Sequence, residues 1–105
     1  MTTSIRTDGS LPPISEAAFL RQVRDLARIY HWKTYHTWTS IHSEHGWPDL
    51  ALCRPPRLIL AELKTAKGKA SVYQAEWLEL LAACPGVEVF LWRPSDLDVI
   101  AEVLR

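Results

Sequence analysis

Between Gly46 and Lys64 the chain carries two carboxylates and an amine whose spacing lets them meet at one point. Asp49 closes a Gly46-Trp47-Pro48-Asp49 turn, and Glu62 and Lys64 bracket Leu63. Between them lie two short apolar runs, Leu50 to Cys53 and Leu58 to Ala61, separated by Arg54-Pro55-Pro56-Arg57. Runs of this length bounded by proline predict strands buried on both faces. With Pro55 and Pro56 at the tip of a hairpin, Arg54 faces Arg57 and Asp49 faces Glu62, and directly opposed residues project from one side of a sheet. Residues two apart on a strand share a face, so Lys64 joins the acids while Leu63 and Ala61 point away. Facing carboxylates with Cβ atoms about 5 Å apart repel unless a cation lies between them. Oxygen donors suit a hard divalent ion such as Mg²⁺, often held by one or two carboxylates plus substrate phosphates, whereas Zn²⁺ would call for cysteine and histidine.

The elements that must position these groups follow from periodicity and punctuation. Residues 1–14, ending in Gly9-Ser10-Leu11-Pro12-Pro13-Ile14, read as a flexible arm. A single folded domain over 15–105 begins with Ser15 as N-cap of a helix in which Phe19, Val23, Leu26, Ala27 and Tyr30 recur at helical spacing. Trp32 to Trp38 predicts an aromatic, threonine-rich strand with Trp32, Thr34, His36 and Trp38 on one side. A polar loop over 39–48 leads into the hairpin, and a basic loop over 65–70 leads out of it to a helix from Ser71 to about Cys84. Val87 to Trp92 reads as a fourth strand, and Ser95 to Leu104 as a final helix with Ser95 and Asp98 at capping-box spacing. Three strands joined as a meander are antiparallel, and a helical crossover makes the fourth parallel to the third, by default right-handed. The predicted fold is α/β, a mixed sheet flanked by helices.

Several other residues gain meaning from this layout. Glu16 lies in line with the apolar stripe of the first helix, so it is not expected to point straight into solvent. Alone it reads as a carboxylate favoured by the helix dipole, worth at most about 1 kcal/mol; beside Asp49 and Glu62 it reads better as a third metal ligand. Lys64 and Glu62 could be a mere ion pair at the sheet edge. Ser71-Val72-Tyr73-Gln74 has the spacing of a capping box, which gives Gln74 a structural role level with a catalytic one. Trp77 reads as a core aromatic. Lys67 and Lys69 follow Lys64 closely enough to meet a substrate phosphate, or form an ordinary solvated loop. His45 and His42 read first as loop surface, with His45 also able to touch substrate, and His36 as a half-buried strand residue. Arg21, Arg24 and Arg28 read as a solvated helix face. Arg54 and Arg57 lie at the far end of the hairpin, about 15 Å or more from the acids.

Composition narrows the class. A chain of 105 residues, 48% hydrophobic, 23% charged and of zero formal net charge has no overall basic character that advertises nucleic acid, so local clusters would have to supply it. Neither a bilayer-spanning run nor a signal-peptide core is present, which implies a cytoplasmic protein without a membrane partner. Cys53 and Cys84 read as small buried apolar residues rather than a disulfide.

Taken in order, Pro48-Asp49 and Glu62-Leu63-Lys64 resemble the motif of the PD-(D/E)XK nuclease superfamily, and the αβββαβ order is similar to its restriction-endonuclease-like core. Glu16, the Gly46 to Asp49 turn, Glu62-Leu63-Lys64-Thr65, Gly68, Ser71, Gln74 and Trp77 together look like the stand-alone phage and bacterial members of the VRR-NUC family. That resemblance implies a metal-dependent DNA endonuclease hydrolysing phosphodiester bonds, with Mg²⁺ as cofactor and Mn²⁺ as substitute. It matches Glu16, Asp49 and Glu62 to metal-binding acids, adds the Leu63 backbone carbonyl as a further ligand, and places Lys64 and Gln74 in the active site. Such members are similar to Holliday-junction resolvases and often act as homodimers in a bacterial or phage-infected cell, which implies branched DNA, a Holliday junction or flap, as substrate. Two alternatives stand beside it: a restriction-type or nicking nuclease on ordinary duplex, and a catalytically silent nucleic-acid-binding module.

Overall fold

The computed structural model describes residues 13–38 and 42–105, so all but the last two residues of the expected arm, and part of the expected loop over 39–48, lie outside the described residues. Helix α1 spans Glu16–Ile29, strand β1 Lys33–His36, β2 Leu50–Arg54, β3 Arg57–Leu63, helix α2 Val72–Ala82, β4 Glu88–Trp92 and helix α3 Leu97–Leu104. Among the described residues the strands form one sheet in the order β1-β2-β3-β4, antiparallel except for the parallel β3–β4 pair. This is the restriction-endonuclease-like mixed sheet with flanking helices and a C-terminal helix expected from the element order.

The hairpin has the predicted register. Arg54 pairs with Arg57, Leu52 with Ile59 and Leu50 with Ala61, around a turn at Pro55-Pro56. Register decides which side each residue takes. Leu50, Leu52, Ile59, Ala61 and Leu63 form one face, fully or almost fully buried against Phe19, Val23 and Ala27 of α1 and Ile100 and Leu104 of α3. Ala51 and Leu60 lie on the opposite face, and the alternation carries Asp49 and Glu62 there too.

Helix starts follow local chemistry. The Ser15 hydroxyl accepts from the Ala18 amide at 3.0 Å, satisfying one of the orphan donors of α1. A short 3₁₀ turn, Pro94–Asp96, precedes α3. There the Asp96 carboxylate accepts from the Arg93 amide at 2.8 Å, a cap in place of the Ser95–Asp98 box that spacing suggests. Proline at the first turn position favours the 3₁₀ start and moves the helix two residues on.

Other expectations need correction. β1 is shorter than the run from Trp32 to Trp38: Thr34 and His36 do turn inward, but Trp32 is buried before the strand and Trp38 is exposed after it. The strands are not buried on both faces throughout, because Cys53 and Leu58, paired beside the turn of the hairpin, are exposed. Cys53 is therefore an exposed free thiol, and so is Cys84 just past α2. Arg24 is half-buried, its Nε donating to Thr34 Oγ1 at 3.2 Å.

Arg54 and Arg57 tie the C-terminal ends of α1 and α3 to the hairpin tip. Arg54 donates to the carbonyls of Tyr30 at 2.9 Å, Leu104 at 3.0 Å and Arg105 at 3.3 Å. Arg57 holds both Glu88 oxygens at 2.7 Å and the Val103 carbonyl at 2.9 Å. Both guanidiniums lie over the Trp32 ring, 4.5 and 4.9 Å from its centroid, while Trp32 Nε1 donates to the Leu104 carbonyl at 2.8 Å. A planar fork can reach several carbonyls and stack at once; an ammonium cannot. Arg54→Ala is expected to lower stability by about 1.5–3 kcal/mol, and Arg54→Lys to recover only a minor part of it. Urea titration would read this as a lower midpoint with an unchanged slope.

Candidate active site

The hairpin register extends past its last paired strand residues to set Asp49 across from Glu62. The Asp49 carbonyl accepts from the Thr37 amide at 2.8 Å, and its carboxylate Oδ2 accepts from the Leu63 amide at 2.8 Å. The second bond locks the side chain beside β3, so the turn bearing Asp49 cannot swing away from Glu62 without breaking it.

Gly46 makes that turn possible. Its φ of 93° is in the left-handed region, and an added Cβ would lie 2.5 Å from the Tyr73 carbonyl oxygen and 2.8 Å from the Gln74 nitrogen. Only glycine lets the loop sit directly on the first turn of α2. Trp47 and Trp77 then meet edge to face at 4.9 Å, and Trp77 Nε1 donates to the His45 carbonyl at 3.1 Å. Trp77 is thus half-buried and holds the loop rather than belonging to the core.

Glu62 is fully buried, the one charged residue type so placed among the described residues. Gln74 Nε2 donates to its Oε2 at 2.6 Å, and Lys64 Nζ lies 3.4 Å from the same oxygen. Its other oxygen, Oε1, is buried with no donor in reach among the described residues. Burial, and secondarily the negative charge of Asp49, push the Glu62 carboxyl up to about 7, against a smaller opposing pull from Lys64. Gln74 serves both readings left open by its spacing. Its Oε1 accepts from the Ser71 amide at 2.8 Å and its backbone amide donates to Ser71 Oγ at 3.1 Å, completing the capping box, while its Nε2 remains for Glu62.

An orphaned buried carboxylate oxygen facing a second carboxylate is what a hard cation would satisfy, and Asp49 and Glu62 suffice for Mg²⁺, which needs only one or two carboxylates. Among the described residues no group of three or more His, Cys, Asp or Glu side chains is gathered closely enough to hold a metal. Glu16 stands apart in that sense. It is solvent-exposed, contrary to expectation, on the rim of a cavity of about 400 Å³ that it shares with His36, Asp49 and Leu63. The reason is position: in the first turn of α1 the apolar stripe has run past the sheet, so alignment with it no longer means burial.

His36 was not among the candidates, yet its Nδ1 is buried without a partner in this same cavity. Its half-burial was legible from strand alternation; that it would share a cavity with Glu16 and Asp49, which come from other segments, was not. Lys67 and Lys69 are exposed on the loop after Lys64, which Arg93 organises by donating to the carbonyls of Thr65 at 2.8 Å and Gly68 at 2.6 Å. His45 is exposed, its ring 5.8 Å from that of Tyr73.

A solved structure described as a VRR_NUC domain protein is similar to this chain, with a TM-score of 0.65 and 19% identity over 88% of this chain and 87% of that one. The likeness shows a shared fold. No family model matches the chain, and no curated protein does. Among the described residues no helix is long and apolar enough to cross a membrane.

The raised Glu62 pKa has a stability consequence with a definite sign. Below its ordinary value of 4.5 the carboxyl is neutral in folded and unfolded chains alike, and its burial then costs least. As pH rises from 4.5 to about 7 the unfolded chain has released the proton and the folded chain still holds it, so metal-free stability falls across that window and levels off above it. Thermal melts in a chelator should show that decline in the wild type and a flatter profile in Glu62→Gln.

Proposed function

We propose that this protein is a metal-dependent DNA endonuclease that hydrolyses phosphodiester bonds, using Mg²⁺ with Mn²⁺ as a substitute. The observation that carries this reading is the fully buried Glu62 with a donorless oxygen, opposite Asp49 and beside Lys64. A stability role would favour a paired or apolar group there, since burying an ionised carboxylate without full compensation is costly. The resemblance to the VRR-NUC family and the fold shared with a VRR_NUC domain protein support the same reading.

Asp49 and Glu62 would hold the ion, with the Leu63 backbone carbonyl and Glu16 as further donors. Bound there, Mg²⁺ would supply Lewis-acid stabilisation of phosphoryl charge and a more acidic water. Gln74 keeps Glu62 Oε2 oriented and leaves Oε1 free. Lys64 is only 16% exposed and lies against Glu62, a position suited to stabilising the charge that develops on the phosphoryl oxygens. Lys67, Lys69 and His45 would contact the DNA backbone around it.

Branched DNA, a Holliday junction or flap, is the proposed substrate, and a homodimer acting in a bacterial or phage-infected cytoplasm the proposed working form. Helix α2 supports self-association: it buries none of its residues although Val72, Tyr73 and Leu80 are apolar and exposed. Sedimentation equilibrium should find a dimer that Leu80→Glu converts to monomer.

The activity is tested by incubating the protein with Mg²⁺ and linear, flap or four-way-junction DNA, beside Asp49→Asn and Lys64→Ala. Each substitution is expected to slow cleavage by about 10²–10³-fold. Equal cutting of linear and branched DNA would favour the restriction-type or nicking alternative. Binding without cleavage by any form would favour a silent nucleic-acid-binding module.

A further inference from the structure

On the α2 side of the sheet a second cavity of about 610 Å³ opens directly onto Asp49 and Gln74. Its walls are aromatic: Tyr35 from the edge strand β1, Trp38 just beyond it, Trp47 from the loop and Trp77 from α2. Trp38 is 75% exposed and Tyr35 66%, unusual for rings of this size unless something covers them in use. Three of the four rings are braced by ring contacts. His36 meets Trp38 edge-on at 4.6 Å, and Trp77 meets Trp47 at 4.9 Å.

The polar lining is equally selective. Among the described residues no lysine or arginine lines this cavity, whereas Glu44 and Asp49 do, with the His45 imidazole at the loop. Inside the cavity a phosphate would meet two acids and no ammonium or guanidinium, only the His45 imidazole at the loop, where a backbone contact fits. A nucleobase would find ring faces to stack on, and a carboxylate able to accept from the exocyclic amine of cytosine or adenine. Lys64, Lys67 and Lys69 all follow β3 and lie outside the lining. Cations and aromatics are thus segregated about the two acids, and the volume falls within the range of about 300–1,000 Å³ common for small-ligand pockets.

We propose that this cavity receives an unpaired nucleobase adjoining the scissile phosphate, so that the enzyme selects DNA at positions where a base is already free of its partner. This deepens the nuclease reading and rests on it. A base in continuous duplex would have to be unstacked at a cost of a few kcal/mol, and a base at a branch or flap much less. Preference for branched DNA then arises from stacking, which suits a chain of zero net charge.

The test uses a labelled flap duplex whose unpaired nucleotides at the branch are deoxycytidines or abasic residues, with anisotropy for binding and Mg²⁺-dependent cleavage measured separately. Removing a stacked base should weaken wild-type binding about tenfold. Trp38→Ala, and independently Tyr35→Ala, should weaken binding of the base-bearing flap by a similar factor and make it insensitive to abasic replacement, while binding of fully paired duplex stays unchanged. Equal wild-type affinity for base-bearing and abasic flaps would overturn the cavity proposal while persistent cleavage left the nuclease reading standing. Equal losses by Trp38→Ala and Tyr35→Ala on flap and continuous duplex would also overturn it. The expected base dependence in binding without cleavage of any DNA would support the cavity and sink the nuclease reading instead.

Discussion

A carboxylate removed from water opposite another carboxylate is the constraint around which this molecule is arranged. Glu62 sits in the interior because β3 passes between neighbours on both sides, and the hairpin register leaves no other place for its side chain. The nearby ammonium of Lys64 and amide of Gln74 both address one oxygen and leave the other bare. Full internal compensation would need a second donor at Oε1. Its absence keeps Glu62 a poor acid, and in the proposed metal site a proton and the ion would compete for the same oxygens.

Much of the surrounding structure secures that geometry without touching the chemistry. Gly46 brings the Asp49 turn down onto α2, Trp77 holds the loop through the His45 carbonyl, and the Leu63 amide fixes the Asp49 carboxylate. Gln74 is the joint between these parts. Its side chain caps α2 through one atom and restrains Glu62 through another, so the start of the helix and the orientation of the buried acid are set together. At the opposite end Arg54 and Arg57 bind carbonyls from α1 and α3, which keeps those helices pressed on the face of the sheet away from the acids. The α2 side is left sparsely covered, open to a large ligand.

How far the sequence could be read depended on whether the relevant interaction was local. A tight turn between two apolar runs has few registers, so the pairing of Asp49 with Glu62 was legible from Pro55 and Pro56. The cap at Ser71 was legible for the same reason. Glu16 was not, because its place depends on where α1 overhangs the sheet, a packing outcome without a sequence period. Cys53 and Leu58 misled because apolar character does not tell whether a helix covers that end of a hairpin. Trp77 misled because a large aromatic spaced toward the sheet can equally clasp a loop. The aromatic cavity is the least legible feature, since its walls come from β1, the loop and α2, three segments brought together only by the fold.

On the proposed nuclease reading, substrate choice would follow from how charge and π surface are divided around the acids. Lys64, Lys67 and Lys69 all lie on the β3 side and supply a local positive field, enough for one or two phosphates but not for a long duplex track. With zero net charge, further affinity must come from uncharged contacts, and the largest exposed ones adjoining Asp49 are Tyr35, Trp38 and Trp47. Stacking demands that bases be accessible, whereas phosphate contacts do not distinguish paired from unpaired strands. On that reading the site would gain contact energy only where the duplex is interrupted, so discrimination against continuous DNA would persist at higher salt while overall affinity falls.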